Sequence, residues 1–280
     1  MFTPDQYQLL DFGGGRKIER FGPHLLNRLS PAAEATRPTH REIWSRANCR
    51  YERTQRDRGF WLPADALPAT WTIAHKCCQF ELKPTEFGHL GVFPEQAENW
   101  DWLADYALSR PAAKVLNLFA YTGGSTLAAA AAGAEVTHVD SAKNVVAWAR
   151  RNAELSELTA APIRWIAEDA RKFARRERKR GSRYDAIVLD PPSYGHGVKG
   201  EVWRVEKDLP PLLEDLQAIA NEDAAILLTC HSPGLGPAEL RRLLEIHFFG
   251  RPTPKIEARP LFLTSSSGRR LPSGILARWS

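Results

Sequence analysis

The sequence has little cysteine, no long apolar run and almost no excess of one charge. It has four cysteines in 280 residues, Cys49, Cys77, Cys78 and Cys230, and no two of them are spaced C-x-x-C. That excludes a zinc framework or a disulfide scaffold and leaves reduced thiols, as in the cytosol. No metal is expected. No apolar stretch approaches the roughly 18–20 residues that cross a bilayer, so no membrane partner is expected. The first ten residues hold Asp5 and no basic cluster, so no secretory leader is expected and the expected place is the cytoplasm. There is no internal repeat and no long low-complexity tract. Lys and Arg number 38 against 33 Asp and Glu, a formal +5. That balance suits nucleic acid and suits an ordinary enzyme, so it decides little. A G-x-G-x-x-G turn is also missing. A pyrophosphate site needs that turn for close backbone approach, so a dinucleotide oxidoreductase ranks last.

What is present is centred on residues 114–140, KVLNLFAYTGGSTLAAAAAGAEVTHVD. Val115, Leu116, Leu118 and Phe119 read as a short buried parallel strand. Gly123 and Gly124 permit a sharp turn and close approach of a ligand. The alanine-rich run after them is a strong helix former, and Gly133 ends it. A second strand closes on Asp140, about twenty residues after the turn, where doubly wound sheets hold a carboxylate for ribose hydroxyls. The looser glycine turn suits S-adenosylmethionine, which has a ribose and no phosphate. A second stretch, YDAIVLDPPSY at residues 184–194, reads as a buried strand with Asp190, Pro191, Pro192, Ser193 and Tyr194 at its carboxyl end.

Together the two stretches resemble a class I S-adenosylmethionine-dependent methyltransferase. More narrowly, NLFAYTGG, VD and DPPSY are similar to bacterial large-subunit ribosomal RNA methyltransferases of the cytosine-5 type, over about residues 87–280. The resemblance implies an α/β fold, a Rossmann-like class I methyltransferase sheet, with S-adenosylmethionine as cofactor. It implies cofactor contact at the turn, through Asn117, Phe119, Ala120, Tyr121, Thr122, Gly123, Gly124 and Ser125. It implies further contacts at Asp140 and Ser141, at Asp190, and at Asp169 and Ala170, where a carboxylate accepts from the adenine amino group. Asp169 also fits a helix N-cap. Phe93 and Gln96, beside Glu95, are implied at the methionine end of the cofactor.

The rest of the chain falls around this core. Residues 7–28 read as β structure, with a hairpin at Gly13-Gly14-Gly15. Residues 60–62, 71–73 and 79–83 read as short strands separated by proline. Trp44, Trp61 and Trp71 are either base-stacking surfaces or, preferably, an aromatic β core. Arg41, Arg46, Arg50, Arg53, Arg56 and Arg58 form a dense series that suits phosphate contact or a solvated face. Residues 1–84 are therefore expected to be a small, β-rich, substrate-facing domain, and residues 85–280 the methyltransferase domain. Beyond Asp140, helices are expected at 143–155, 170–181, 208–220 and 237–247, with strands at 163–167, 224–229, 256–263 and 274–279. The helix at 170–181 is densely basic; RNA contact and a solvated face are both open there.

The expected activity is methyl transfer to RNA, with ribosomal RNA as partner. For an exocyclic amine, Asp190 and the Pro191 carbonyl would accept the N–H groups and Tyr194 would stack on the base. For cytosine C5 a thiolate must add to the ring. By the resemblance it would come from the loop after the fifth strand, where this chain has Thr229-Cys230-His231-Ser232. Cys230 is displaced there, and Ser232 stands at the nucleophile's place. Cys230 is either a nucleophile activated by His231 or a buried small residue. Residues 195–197 read as a mobile loop over the base, with His196 as a loop polar residue. The alternatives are a methyltransferase of this fold acting on protein or a small molecule, and a non-catalytic RNA-binding protein.

Overall fold

The computed structural model describes residues 1–54, 58–196, 200 and 202–280. Arg56 of the arginine series and Gly197 lie outside the described residues. The chain divides into two units, residues 1–97 with 262–273, and residues 98–261 with 274–280.

In the first unit, β1 (Tyr7–Gly13), β2 (Arg16–Phe21), β3 (His24–Leu29), β4 (Cys49–Arg53) and β5 (Gly59–Leu62) form one sheet in that order. The first three strands are antiparallel, and their turns are the pairs Gly14-Gly15 and Gly22-Pro23. Gly14, Gly15 and Gly22 have φ of 57, 72 and 58°, which is why glycine punctuates this stretch. The connection from β3 to the parallel β4 carries a one-turn helix, α1 (Arg41–Trp44). Ile43, Trp44 and Ala47 pack on Leu10, Ile18 and Leu25, covering one face of β1 to β3. A separate hairpin joins β6 (Trp71–His75) to β7 (Cys78–Leu82). Strand β4 was not evident in the sequence, because its alternation is Cys49 and Tyr51 inward against Arg50 and Glu52, with only two apolar residues to mark it.

Of the three tryptophans of this unit one is buried and two are half-buried, and the indole N–H of each is bonded within the unit. Trp61 is buried and its Nε1 donates to Thr85 O at 2.9 Å. The Trp71 indole donates to Phe21 O at 3.2 Å, and that of Trp44 to Asp11 Oδ2 at 2.9 Å. Asp11 is fully buried. It also accepts from the backbone of Thr39 and His40 and from Arg269 Nη1 at 3.0 Å, so the late segment 262–273 is tied into this unit by a charge-assisted bond.

In the second unit, α2 (Ala97–Leu108) precedes the strands β8 (Lys114–Leu118), β9 (Glu135–Asp140), β10 (Ile163–Ala167) and β11 (Tyr184–Leu189). Their crossovers carry α3 (Gly124–Ala131), α4 (Lys143–Leu155) and α5 (Ala170–Arg180). A small hairpin, β12 (Tyr194–His196) with β13 (Val202–Arg204), leads into α6 (Val205–Gln217), then β14 (Ala220–Cys230). After α7 (Pro237–Leu243) and a π-helical turn, Leu244–Phe248, the chain closes with β15 (Glu257–Thr264) and β16 (Arg270–Trp279). The sheet order is β10-β9-β8-β11-β14-β16-β15, parallel from β10 to β14, with β16 antiparallel to β14. This is the Rossmann-like order of the class I methyltransferases. The order reverses at β8, so the crevice at the carboxyl ends of β8 and β11 is the place for a ligand.

Two local outcomes differ from the sequence reading, and a third adds to it. Helix α6 begins at Val205, not 208. Proline normally sits in a first turn, but Leu209, Leu212, Leu213 and Leu216 bury a continuous stripe that carries the helix across Pro210 and Pro211. Strand β14 begins four residues early, where it is half-exposed and shifts register against β11. The arginines of α5 have carboxylates: Arg171 with Asp208 at 2.8 Å, Arg176 with Glu168 at 2.5 Å, and Arg180 with Glu177 at 3.0 Å. Arg175 and Arg178 share Asp215 at 3.4 and 3.0 Å. The acids come mostly from α6 and from the end of β10, distant in sequence.

Candidate functional site

Strand β8 ends in a strained turn. Phe119 and Tyr121 have φ of 54 and 48°, and Gly123 has 93°. Left-handed backbone at two aromatic residues costs on the order of 1–3 kcal/mol each, so the surroundings must impose it. Ala120 N donates to Val139 O at 3.1 Å, and Gly123 N to Ala120 O at 3.0 Å. Asn152 Nδ2 donates to Thr122 O at 2.9 Å. Gly124 opens α3, and a Cβ there would lie 2.4 Å from the Trp100 indole, so α2 packs directly on the turn.

Asp140 is held by the same turn. Its Oδ2 accepts from Tyr121 N at 3.0 Å and its Oδ1 from Ala142 N at 2.9 Å. Burial raises the Asp140 pKa, and the amides of Ala142 and Tyr121 pull it down. Each oxygen keeps a lone pair for another donor. Beneath the turn runs a buried polar row. Asn117 Nδ2 donates to Thr126 Oγ1 at 2.9 Å, and that hydroxyl bonds His138 Nδ1 at 2.9 Å. Burial presses the His138 pKa down to about 3, so its imidazole is neutral.

A cavity at the carboxyl ends of β9 and β10 is lined by Phe119, Asp140, Ser141, Asp169 and Ala170, together with Trp203. Asp169 caps α5, accepting from Lys172 N at 3.1 Å, and meets Arg171 at 3.4 Å. Trp203 packs on Phe119 with ring centres 4.9 Å apart. Its indole N–H donates to Pro192 O at 2.7 Å. One side chain therefore walls the cavity and fixes the loop after β11.

That loop is held on three sides. Thr229 Oγ1 donates to Asp190 Oδ1 at 2.6 Å, Val205 N to Ser193 O at 3.1 Å, and Ser232 Oγ to Ser193 Oγ at 2.8 Å. His231 Nε2 lies 3.9 Å from Asp190 Oδ1. A Cβ on Gly274 would come within 2.8 Å of that ring, so glycine there makes room for His231. Pro191 is buried, and Tyr194 is 52% exposed. Cys230 is fully buried in β14, and its Sγ accepts from Ser232 N at 3.4 Å.

A family model for S-adenosylmethionine-dependent methyltransferases matches residues 28–251. The chain belongs to that family. A solved S-adenosylmethionine-dependent methyltransferase from Agrobacterium tumefaciens is 36% identical, with a TM-score of 0.91, over 100% of this chain and 92% of that one. A putative methyltransferase solved with SAH shares the fold, with a TM-score of 0.75 at 22% identity, over 98% of this chain and 76% of that one. Among curated relatives, ribosomal RNA large subunit methyltransferase I of Aeromonas hydrophila is 38% identical over 53% of this chain and 36% of its own length. Ribosomal RNA large subunit methyltransferase K/L of Hahella chejuensis is 28% identical over 57% of this chain and 22% of its own. The matched part of the chain thus spans between a fifth and little more than a third of these curated relatives.

The methyltransferase takes S-adenosylmethionine as cofactor, and the cavity's chemistry fits it. Asp140, Glu168 and Asp169 stand around it, and its arginine, Arg171, is engaged by Asp169 and Asp208. Such a wall repels a pyrophosphate and suits a nucleoside carrying a sulfonium. The structure gathers Phe119, Asp140, Ser141, Asp169 and Ala170 around the cavity. Residues 120–125 form the turn and the start of α3, and Asn117 lies in the buried row beneath it. Phe93 and Gln96 belong to the first unit, where Phe93 meets the His89 ring edge-on at 5.3 Å and Gln96 is buried in a short helical turn. Trp100, Trp203 and Thr229 were missed by sequence reasoning. Only Trp203 left a trace, as a lone aromatic in a polar stretch before α6.

Proposed function

We propose that this methyltransferase methylates an exocyclic amine on a base of RNA, and that the RNA is ribosomal. The reading rests chiefly on the loop after β11: an anchored Asp190 carboxylate beside an exposed Tyr194, at the sheet end that carries the cofactor cavity. The names of the curated relatives support RNA as substrate. Ribosomal RNA as substrate puts the enzyme in the cytoplasm. Residues 1–84 serve as the substrate-facing part and residues 85–280 as the catalytic part.

S-adenosylmethionine would supply an electrophilic methyl group on sulfur. The protein's part is position and electrostatics. Asp140 would hold the ribose hydroxyls, and the cavity wall of Phe119, Trp203 and Ala170 would pack against the adenine. Asp169 would accept from its amino group through a lone pair left by the N-cap bond. At the target end Tyr194 stacks on the base. Asp190 and the Pro191 carbonyl accept its amine N–H groups and aim the nitrogen lone pair. The amine nitrogen would bond the methyl carbon as that carbon's bond to sulfur breaks, and would shed a proton to Asp190, with the His231 ring 3.9 Å away.

Carbon methylation through Cys230 is disfavoured. A thiolate must reach the base, and the Cys230 sulfur is fully buried and accepts from the Ser232 amide. The test is a tritium transfer assay from labelled S-adenosylmethionine to deproteinised ribosomal RNA, followed by mass spectrometry of the nucleosides. An N-methylated nucleoside is the expected product. Transfer to no RNA, with transfer to a protein or metabolite fraction instead, refutes the reading.

A further inference from the structure

Helix α1 covers only part of one face of the first sheet. On β1 to β3 that face is Leu10, Ile18 and Leu25 beneath Ile43 and Trp44. The same face continues through Asn27, which pairs with Arg50, and then across β4 and β5, where Arg50 pairs with Leu62 and Glu52 with Phe60. Strand alternation puts all four of these side chains on that one side. Among the described residues of the first unit nothing buries the two apolar ones: Phe60 is 45% exposed and Leu62 is 41% exposed.

An apolar step of this kind could receive protein or nucleic acid, and charge separates the two. Glu52, the acid of the step, is bound by Arg50 Nε at 2.7 Å and by Arg16 Nη1 at 3.4 Å. Two guanidinium groups on one carboxylate leave a positive charge beside the Phe60 ring. Arg16 is further pinned to Asn27 Oδ1 at 2.6 Å and Tyr51 O at 2.7 Å, so the arrangement is set before a ligand arrives. Helix α1, on the same face, brings Arg41, and Arg46 follows it; both are exposed, with no carboxylate partner among the described residues. The arginines of α5, by contrast, have acidic partners.

We infer that the open β4–β5 face is a stacking platform for single-stranded RNA, with a base on Phe60 and the backbone held by Arg50 and Arg16. An aromatic ring flanked by guanidinium groups on a sheet is the form that sequence-tolerant single-strand binding takes. The inference rests on the RNA reading above, and it assigns the first unit a grip on the strand.

The experiment is fluorescence anisotropy with a short fluorescein-labelled single-stranded RNA of mixed sequence, run beside the transfer assay on ribosomal RNA. Phe60→Ala should weaken binding about tenfold and leave S-adenosylmethionine affinity unchanged. Phe60→Trp should retain RNA affinity, whereas Phe60→Leu, apolar but without a ring, should lose it. Arg50→Gln should lower the slope of log Kd against log salt by about 0.7. Equal RNA binding by wild type and Phe60→Ala, with wild type still methylating RNA, overturns the platform and leaves the proposed function standing. Failure of wild type to methylate any RNA overturns the proposed function instead. A change of oligomeric state in Phe60→Ala with unchanged RNA affinity also overturns the platform, by showing that the face joins copies of this chain.

Discussion

The carboxyl end of the second sheet has two halves, and their carboxylates are held differently. Asp140 is fixed by two backbone amides, from Tyr121 and Ala142, in a turn whose strain the packing of Trp100 and Asn152 enforces. Asp190 is fixed by a side chain, Thr229, and its loop hangs on the Trp203 indole and on Ser232. Backbone amides cannot be changed by point mutation without moving the chain, so the cofactor half is set by the fold. Side-chain anchors can be exchanged singly, so the target half can be retuned for another substrate on the same scaffold. An invariant cofactor and a variable target call for that division.

The sharpest way to separate the halves is to remove one carboxylate at a time. Asp190→Ala should lower the methyl-transfer rate by at least about a hundredfold, as loss of a positioning group does, while calorimetry shows S-adenosylmethionine affinity near wild type. Loss of cofactor binding in a folded Asp190→Ala protein would erase the distinction between the two carboxylates. Asp140→Ala should act the other way. It removes charge-assisted bonds to ribose of about 1.5–3 kcal/mol, a tenfold to hundredfold fall in affinity, with Asp140→Asn intermediate. Unchanged affinity would remove Asp140 from the cofactor site.

A smaller effect tests the row beneath the cofactor half. His138 has a folded pKa of about 3 against an ordinary value of 6.5. Below pH 6.5 the unfolded chain takes up a proton that the folded one refuses, so stability is lost as pH falls from 6.5 towards 3. The slope is at most about 1.4 kcal/mol per pH unit. Other groups titrate in the same window. The informative quantity is therefore the difference between wild type and His138→Gln in urea unfolding across that window. Parallel curves would mean that His138 is protonated in the folded state. The smallest effect is expected at Cys230, where Cys230→Ser should keep most of the transfer activity.

The two halves also differ in how far the sequence betrays them. The cofactor half is local: an apolar strand, two glycines, an alanine helix and Asp140 follow one another within 27 residues, and each element forms where its own residues favour it. The sheet order and the position of Asp190 follow from the same alternation. The target half is assembled from separate stretches. Thr229 reaches Asp190 across 39 residues, and Trp203 sits on a three-residue strand that no periodicity marks. Helix α5 makes the same point for charge. Its run of arginines left RNA contact and a solvated face both open, and two of its carboxylates, Asp208 and Asp215, lie up to 40 residues away on α6. In the first unit the tryptophans drew attention because they are large, and for the same reason the fold buries them wholly or in part. Phe60, by contrast, is unremarkable in sequence, and its ring is exposed because β5 lies at a sheet edge beyond the reach of α1.

The central claim is amine methylation of RNA positioned by Asp190, without a covalent enzyme–base bond. The most direct test is to incubate wild type, Asp190→Ala and Cys230→Ser with S-adenosylmethionine and ribosomal RNA, one portion of which contains 5-fluorocytosine, and to analyse both nucleosides and adducts by mass spectrometry. The account predicts an N-methylated nucleoside from wild type and Cys230→Ser, almost none from Asp190→Ala, and no protein–RNA adduct. A 5-methylcytidine product, with an adduct that vanishes in Cys230→Ser, would contradict it.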